Sequence, residues 1–159
     1  MALIKSISGI RGTIGGKPGE CLSPVDIVKF TAAYGTWLQR RRGGSGLKVI
    51  VGRDARRSGE MVNNFVITTL RGLGINVTDL GLATTPTVEI AVKGTGADGG
   101  IIITASHNPR NWNALKLLNE KGEFISTNPS KAEIEKFRSA AQITFIKDRR
   151  VNIRLTSRQ

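Results

Sequence analysis

A serine and the sequence's one histidine stand side by side in the stretch Thr104-Ala105-Ser106-His107-Asn108-Pro109. Adjacent side chains on an extended backbone point apart, so the pair by itself is also compatible with a loop serine beside a solvated histidine. However, Ser106 follows a run of three isoleucines that predicts a buried strand, and Asn108-Pro109 predicts a tight turn after it. The sequence therefore predicts that the Ser106 side chain is offered at the end of a strand, where it is available for chemistry.

Two basic side chains are candidates for neutralising a phosphate on this serine. A phosphoserine carries about −1.5 to −2 charges at neutral pH, so it needs cations and hydrogen-bond donors around its oxygens. Arg11 lies in the glycine-rich residues 9–16, which we expect to form a flexible loop, and Lys116 comes just after the serine loop. Both are predicted to act as cations at the site.

Other kinds of site are excluded by spacing. Gly16-Lys17 is followed by a proline, whereas a P-loop needs serine or threonine there, and the glycines of residues 9–16 do not have dinucleotide-binding spacing. A serine hydrolase would need G-x-S-x-G, and one histidine with one cysteine does not make a zinc site. Cys21, with no base or second thiol nearby in the sequence, is expected to pack as a small apolar residue.

Predicted strands and helices alternate along the chain, and these elements must position the candidate residues. We expect strands over residues 3–8, 47–51, 75–80 and 99–104, and a hairpin over residues 115–125. Helices are predicted over residues 23–40, around 62–73, after Pro86, and over 130–141. The predicted fold class is α/β, a mixed, mostly parallel sheet with helices on both faces. Loops 9–16, 52–58 and 104–113 should then meet beyond the carboxyl ends of the strands.

Length and composition predict one ordinary domain. The chain has 159 residues, 39% hydrophobic and 23% charged, and no apolar run approaches the ~18 residues that span a bilayer. The first residues lack the pattern of a secretory signal and there is one cysteine, so we expect a soluble, cytoplasmic protein with no membrane partner. From Lys136 onward there are seven basic residues against Asp148, which is half of the net charge of +12.

The basic charge allows an alternative, a nucleic-acid-binding α/β module. It would rest on Arg40-Arg41-Arg42, Arg53, Arg56, Arg57 and the basic tail. Charge runs are more often solvated faces, and single-strand binders interleave aromatic residues with their basic groups. We therefore expect no specific nucleic-acid partner.

Four motifs together resemble one enzyme family. T-A-S-H-N-P followed by W-N-A-L-K, S-G-I-R-G-T-I-G near the start, V-G-R-D-A-R-R-S in the middle and the T-T-P at Thr84-Thr85-Pro86 occur in the order typical of the α-D-phosphohexomutases, the phosphoglucomutase and phosphomannomutase superfamily. The resemblance covers about residues 1–130. Because members are four-domain enzymes, it implies that residues 1–135 form domain I, the phosphoserine-bearing α/β domain. The basic charge and the lack of a helical or strand pattern predict residues 136–159 as a basic tail that is poorly ordered or not native-like.

The resemblance also implies residue roles. Ser106 would be the phosphoryl donor and acceptor in interconverting hexose 1-phosphate and hexose 6-phosphate through a bisphosphorylated sugar. His107 would assist proton transfer to and from the sugar hydroxyl, and Arg11 and Lys116 would contact the phosphoserine. Asn108 and Asn113 would shape the loop. The family's N-G-x-K is Asn113-Ala114-Leu115-Lys116 here, so we expect the loop to turn at Ala114 without a glycine.

Cofactors and partners follow from the same resemblance. Mg²⁺ would bind Ser106 through its phosphate, but the family's D-x-D-x-D metal loop is absent from this chain. Hexose 1,6-bisphosphate would be the activator, and glucose, mannose and glucosamine phosphates all stay open as substrates. The remaining domains of the enzyme are the expected partners. Without them the chain should be inactive, and apolar surface that faces them can lead it to self-associate.

Overall fold

A six-stranded mixed sheet with helices on both faces forms the part of the chain that the computed structural model describes, residues 3–6, 9–43 and 45–125. Its strands are β1 (Leu3–Ser6), β2 (Gly9–Thr13), β3 (Lys48–Arg53), β4 (Asn76–Leu82), β5 (Gly99–Ile103) and β6 (Trp112–Leu118). Its helices are α1 (Pro24–Arg42), α2 (Gly59–Gly72) and α3 (Thr85–Gly94). The predicted helix over residues 130–141 and the basic tail 136–159 lie outside the described residues.

The sheet has a parallel half and an antiparallel half, in the order β1-β2-β6-β5-β3-β4. Strand β3 pairs in parallel with β4 and β5. The pairs β1–β2, β2–β6 and β5–β6 are antiparallel. The predicted mixed α/β class is confirmed, although antiparallel pairs outnumber parallel ones within the described sheet. The antiparallel half arises because β6 returns directly from the serine loop and then pairs with the N-terminal β2.

Side chains of the central strands alternate between two cores. Val49, Val51, Ile101 and Ile103 pack against α1 and α2, whereas Ile50 and Ile102 pack against α3 on the other face. Strands that are apolar on both faces need cover on both faces, which is why the three isoleucines of β5 run without a polar residue between them. Burying β5 in this way gives Ser106, three residues beyond it, a rigid support.

Helix α1 begins where its sequence signals predict and ends slightly later than expected. Ser23 is the N-cap, with Pro24 at the first position, and the Asp26 side chain completes a capping box. The Asp26 carboxylate also accepts the Gly19 N–H, at 3.0 and 3.2 Å, which ties the preceding loop to the helix. Gly43 ends the helix in the left-handed conformation with φ 71°, so α1 runs to Arg42, two residues past the predicted end.

One sequence-based expectation near the site is wrong, and a second is confirmed only in part. Residues 9–13 form β2 instead of belonging to a flexible loop, and Gly9, with φ 108°, lies so close to the Leu115 carbonyl that a Cβ would clash with it. The predicted hairpin over 115–125 is β6 followed by a turn and an isolated bridge from Leu118 to Phe124. Period and propensity did not indicate β2 because glycine is a poor strand former, and the pairing with β6 decides its conformation.

Tyr34 connects α1 to the sheet through buried hydrogen bonds. Its buried hydroxyl donates to the carbonyls of Leu118 at 2.8 Å and Gly100 at 3.2 Å. Burial raises the pKa of Tyr34 far above its ordinary value, so the hydroxyl stays protonated and keeps donating. A Cβ at Gly99 would collide with the Tyr34 hydroxyl oxygen. This glycine therefore makes room for the tyrosine between β5 and β6.

Cys21 packs as expected. Its side chain is completely buried and its thiol donates to the Lys17 carbonyl at 3.2 Å. Burial raises the pKa of the thiol, with smaller contributions from the negative charges of Asp26 and Glu20. Among the described residues, no helix has both the length and the apolar character needed to span a bilayer.

Candidate functional site

Ser106 lies just beyond β5, exposed, in a backbone conformation that serine rarely adopts. Its φ is 51°, and among the described non-glycine residues it alone has a positive φ. Its N–H donates to the Thr104 hydroxyl at 3.1 Å, and the Asn108 N–H donates to the Ala105 carbonyl at 3.0 Å. The left-handed region costs an L-residue about 1–2 kcal/mol, so the surrounding contacts must hold Ser106 there.

Lys116 reaches the serine directly. From its place on β6, its Nζ lies 3.2 Å from Ser106 Oγ, and it also lies over the Phe124 ring, 5.8 Å from the centroid. The contact places a positive charge beside the oxygen that would carry a phosphate. The absence of a glycine at position 114 does not prevent it.

Arg11 faces the same side of the sheet as Lys116. On β2 it lies opposite Ala114, which is two residues before Lys116 on β6, so Arg11 and Lys116 are diagonal neighbours on one face. The Arg11 Nε is buried and has no hydrogen-bond partner within the described residues. The structure thus brings Ser106 and Lys116 into contact and places Arg11 on the same face without a hydrogen bond to Ser106.

The remaining predicted residues differ in how they are held. Asn113 is buried, its Nδ2 donates to Ser58 Oγ at 2.9 Å, and its Oδ1 accepts the Ala114 N–H at 2.8 Å. His107 is exposed and makes no hydrogen bond among the described residues, so its side chain is open to a ligand. Asn108 takes part through its main chain, as donor to Ala105 and as an acceptor through its carbonyl.

The turn expected at Ala114 is absent. Ala114 lies within β6, where it is buried and its carbonyl accepts the Thr104 N–H at 3.2 Å. Since its φ is not positive, an alanine fits this strand position without strain. The serine loop turns earlier, and its geometry does not depend on a glycine here.

Arg56 is the residue at the site that sequence reasoning missed. Its guanidinium donates to four carbonyl groups of the serine loop, those of Ser106, Asn108, Pro109 and Trp112. In the sequence it stands among other arginines of V-G-R-D-A-R-R-S, and nothing in that pattern distinguishes a loop-binding arginine from a solvated one. Contacts that depend on tertiary structure reveal the difference.

The three predicted loops do meet at one edge of the sheet. Arg56 links loop 52–58 to the serine loop, and the Ile14 N–H donates to the Asn111 carbonyl at 2.7 Å. Beside them a cleft of about 500 Å³ opens at the carboxyl ends of the parallel strands. Its lining includes Arg53, Asp54, Thr84, Thr85 and Thr104.

A second glycine pattern has a different role from the one its spacing suggests. Gly94-Thr95-Gly96-Ala97-Asp98-Gly99 has the spacing of a dinucleotide-binding loop, but it leads from the end of α3 into β5. A dinucleotide loop instead leads from a strand into a helix N-terminus, whose N–H groups bind phosphate. This segment is a helix end and a connection.

The described residues do not supply a metal site of their own. No group of three or more histidine, cysteine, aspartate or glutamate side chains is arranged among them to hold an ion.

Comparison with known proteins assigns the family. A family model described as the alpha/beta/alpha domain I of phosphoglucomutase/phosphomannomutase matches residues 3–143. The chain belongs to this family. A phosphoglucomutase/phosphomannomutase of Thermococcus kodakarensis is 43% identical over 113 residues, which is 70% of this chain and 25% of that protein. A phosphoglucosamine/phosphogalactosamine mutase of Sulfurisphaera tokodaii is 37% identical over 122 residues, 77% of this chain and 25% of that protein.

Solved structures agree with the phosphoglucomutase/phosphomannomutase assignment. A putative phosphomannomutase from Thermus thermophilus superimposes with a TM-score of 0.72 at 26% identity, covering 89% of this chain and 30% of that one. The chain thus spans about a quarter of the length of the curated relatives it matches. It corresponds to domain I of that family.

Proposed function

We propose that this chain is the phosphoserine-bearing domain of a phosphohexomutase, with Ser106 as the group that gives and takes back the phosphoryl group. The observation that carries the proposal is the 3.2 Å contact between Lys116 Nζ and the exposed Ser106 Oγ. Family membership supports the reaction class, because the relatives are named as mutases of hexose or hexosamine phosphates. The substrate is accordingly a hexose phosphate, converted between its 1- and 6-phosphate through a bisphosphate.

The chemistry is a phosphoryl transfer in each direction. The bond from phosphorus to Ser106 Oγ breaks while a bond forms to a free sugar hydroxyl, and the proton of that hydroxyl ends on Oγ. Lys116 stabilises the negative charge that develops on Oγ, and exposed His107 in the same loop carries the proton. Arg11 on the same sheet face adds a second positive charge for the phosphate oxygens. In the second transfer Oγ attacks the other phosphate of the bisphosphate, the bond from that phosphorus to the sugar oxygen breaks, and the proton of Ser106 ends on that oxygen.

Several arginines on which the nucleic-acid alternative rests are bound to partners within the fold. Arg56 is bound to the serine loop, Arg42 Nε pairs with Asp98 at 3.0 Å, and Arg41 pairs with Glu120 at 3.2 Å. Burial alone would raise the pKa of Glu120, but its backbone hydrogen bond and Arg41 lower it below the ordinary value. These arginines have partners within the fold, which favours the mutase proposal.

Phosphorylation of Ser106 tests the proposal. The chain is mixed with the remaining domains of the Thermococcus kodakarensis relative as a second polypeptide, magnesium, and glucose 1,6-bisphosphate carrying radioactive phosphate. Phosphopeptide mapping should place the label on Ser106, and Ser106→Ala should abolish it. Lys116→Met should slow labelling at least tenfold, because the transferred charge loses its neighbouring ammonium.

Ser45→Ala is the matched control, since Ser45 is an exposed loop serine away from the site. It should be labelled as the unaltered chain is. Stable label on another serine, with Ser106 unmodified, would reject the assignment of Ser106 as the carrier.

A further inference from the structure

The Arg56 side chain crosses from the loop before α2 to the segment that joins β5 and β6. Its Nη1 donates to the carbonyls of Pro109 at 2.7 Å and Trp112 at 3.0 Å. Its Nη2 donates to the carbonyls of Ser106 at 2.7 Å and Asn108 at 2.8 Å. One guanidinium therefore binds four carbonyl groups spread over the whole serine loop.

The Asp54 carboxylate holds the guanidinium in place. It accepts the Arg56 Nε at 3.3 Å and the Arg56 backbone N–H at 3.0 Å. The backbone N–H of Asp54 in turn donates to the Ile103 carbonyl at 3.0 Å, at the end of β5. Asp54 and Arg56 thus connect the end of the buried strand to the loop that follows it.

All five N–H donors of the Arg56 guanidinium are used by these contacts, and its side chain is only 13% exposed. Lysine has three donors that radiate from one nitrogen, so it cannot reproduce the planar arrangement that binds four carbonyls and a carboxylate together. The arrangement is specific for arginine. It also fits a loop that contains a residue in the left-handed region, which relaxes unless its neighbours hold it.

We propose that Arg56 is a positioning residue for phosphoryl transfer at Ser106. Arg56 binds the Ser106 carbonyl and leaves its hydroxyl free, so it acts on the reacting oxygen through the backbone. By fixing the loop it holds Oγ beside Lys116, where a displacement of about 1 Å can cost on the order of a hundredfold in rate. This inference rests on the proposed function of Ser106 for its catalytic part, and on the contacts alone for its conformational part.

Hydrogen exchange of the 159-residue chain tests the conformational part. The amides of Ser106, Asn108 and Trp112 are hydrogen-bonded within the loop, so they report on whether it keeps its form. In Arg56→Ala these three amides should exchange at least tenfold faster, while amides of β3 and β5 stay as protected as before. Low-millimolar methylguanidinium should restore much of the protection, and methylammonium should not.

Two further variants make the result decisive. Arg57→Ala is the control, because Arg57 is exposed and, among the described residues, has no hydrogen bond to the serine loop. Arg56→Lys keeps the charge and should fold even if Arg56→Ala does not, and its loop amides should exchange several-fold faster than in the unaltered chain. Unchanged loop protection in Arg56→Lys, or loss of protection spread equally over the sheet, would overturn the proposal.

The labelling reaction, run with the remaining domains added, tests the catalytic part of the proposal. Arg56→Lys should lower the maximal rate of Ser106 labelling at least tenfold and leave the half-saturating bisphosphate concentration within about twofold. An unchanged maximal rate would refute a positioning role. If Ser106 of the unaltered chain takes no label, the proposed function fails, whereas the exchange experiment still decides whether Arg56 holds the loop.

Discussion

At the scale of single residues, Ser106 combines exposure, a neighbouring positive charge and a strained backbone. Its φ of 51° is a conformation that glycine adopts freely and serine does not. A residue chosen for stability alone at this position would be glycine. Serine at this position therefore lowers the stability of the fold relative to glycine, as expected for a residue whose hydroxyl takes part in the proposed function.

Substituting Ser106 should reveal this cost. Ser106→Gly should have a free energy of unfolding about 1 kcal/mol higher than Ser106→Ala, because only the glycine relieves the left-handed strain. Urea unfolding of both variants measures the difference. The same pair at Ser45, whose φ is not positive, should give no advantage to glycine. A Ser106→Gly variant less stable than Ser106→Ala would show that the loop is not strained.

At the scale of elements, local signals predicted most helices and the central strands. Ser23 and Pro24 predict the start of α1, and the three isoleucines predict β5. Both predictions were possible because helix capping and continuous burial produce patterns in adjacent residues. Strand β2 produces no such pattern, since its conformation depends on pairing with β6 far along the chain. Ser106 and Lys116 could be proposed from the sequence because each stands in or just after a recognisable motif. The contacts of Arg56 could not, since they join segments that are about 50 residues apart in the chain.

The fit of α1 against the sheet gives an element-scale prediction. Tyr34→Phe should lower the free energy of unfolding by about 1–3 kcal/mol, because two buried carbonyls lose a donor. Gly99→Ala should cost about 1–3 kcal/mol or more, since its methyl group meets the Tyr34 hydroxyl and lies 2.9 Å from the Leu118 carbonyl oxygen. The two changes together should cost less than the sum of both, as measured by denaturant unfolding.

Gly72→Ala is the matched control for the added methyl group. Position 72 ends α2 in open space and without a positive φ, so alanine should raise the free energy of unfolding by about 0.5–1 kcal/mol. Strict additivity of Tyr34→Phe and Gly99→Ala would show that the tyrosine does not occupy the space above Gly99.

At the scale of the whole molecule, the chain matches about a quarter of its relatives' length. Within its described residues it presents a serine and two cations, without a metal-ligand cluster. Holding reactants in place accounts for as much as ~7–11 kcal/mol of a barrier in well-oriented reactions. Under the proposed function, we expect most of that orientation to come from the parts of the longer relatives that this chain does not match.

We accordingly expect no mutase turnover from the 159-residue chain by itself. With glucose 1-phosphate, a trace of glucose 1,6-bisphosphate and magnesium, no glucose 6-phosphate should form in a coupled dehydrogenase assay. Adding the remaining domains of a relative as a second polypeptide should restore measurable turnover, and Ser106→Ala should remove it again. Robust turnover by the chain alone would show that its residues contain the full catalytic machinery.

The pairing of β2 with β6 also affects when, during synthesis of the chain, the two cations of the site can come together. Arg11 is made early in synthesis, yet Ala114 and Lys116, its neighbours across the sheet, are among the last described residues to leave the ribosome. Strands β3, β4 and β5 can pair before that, since the segments that join them are shorter than the one between β2 and β6, and closing a longer loop costs more entropy. We therefore expect a nascent chain to form its central sheet first, and the two cations to come together only when β6 has been made.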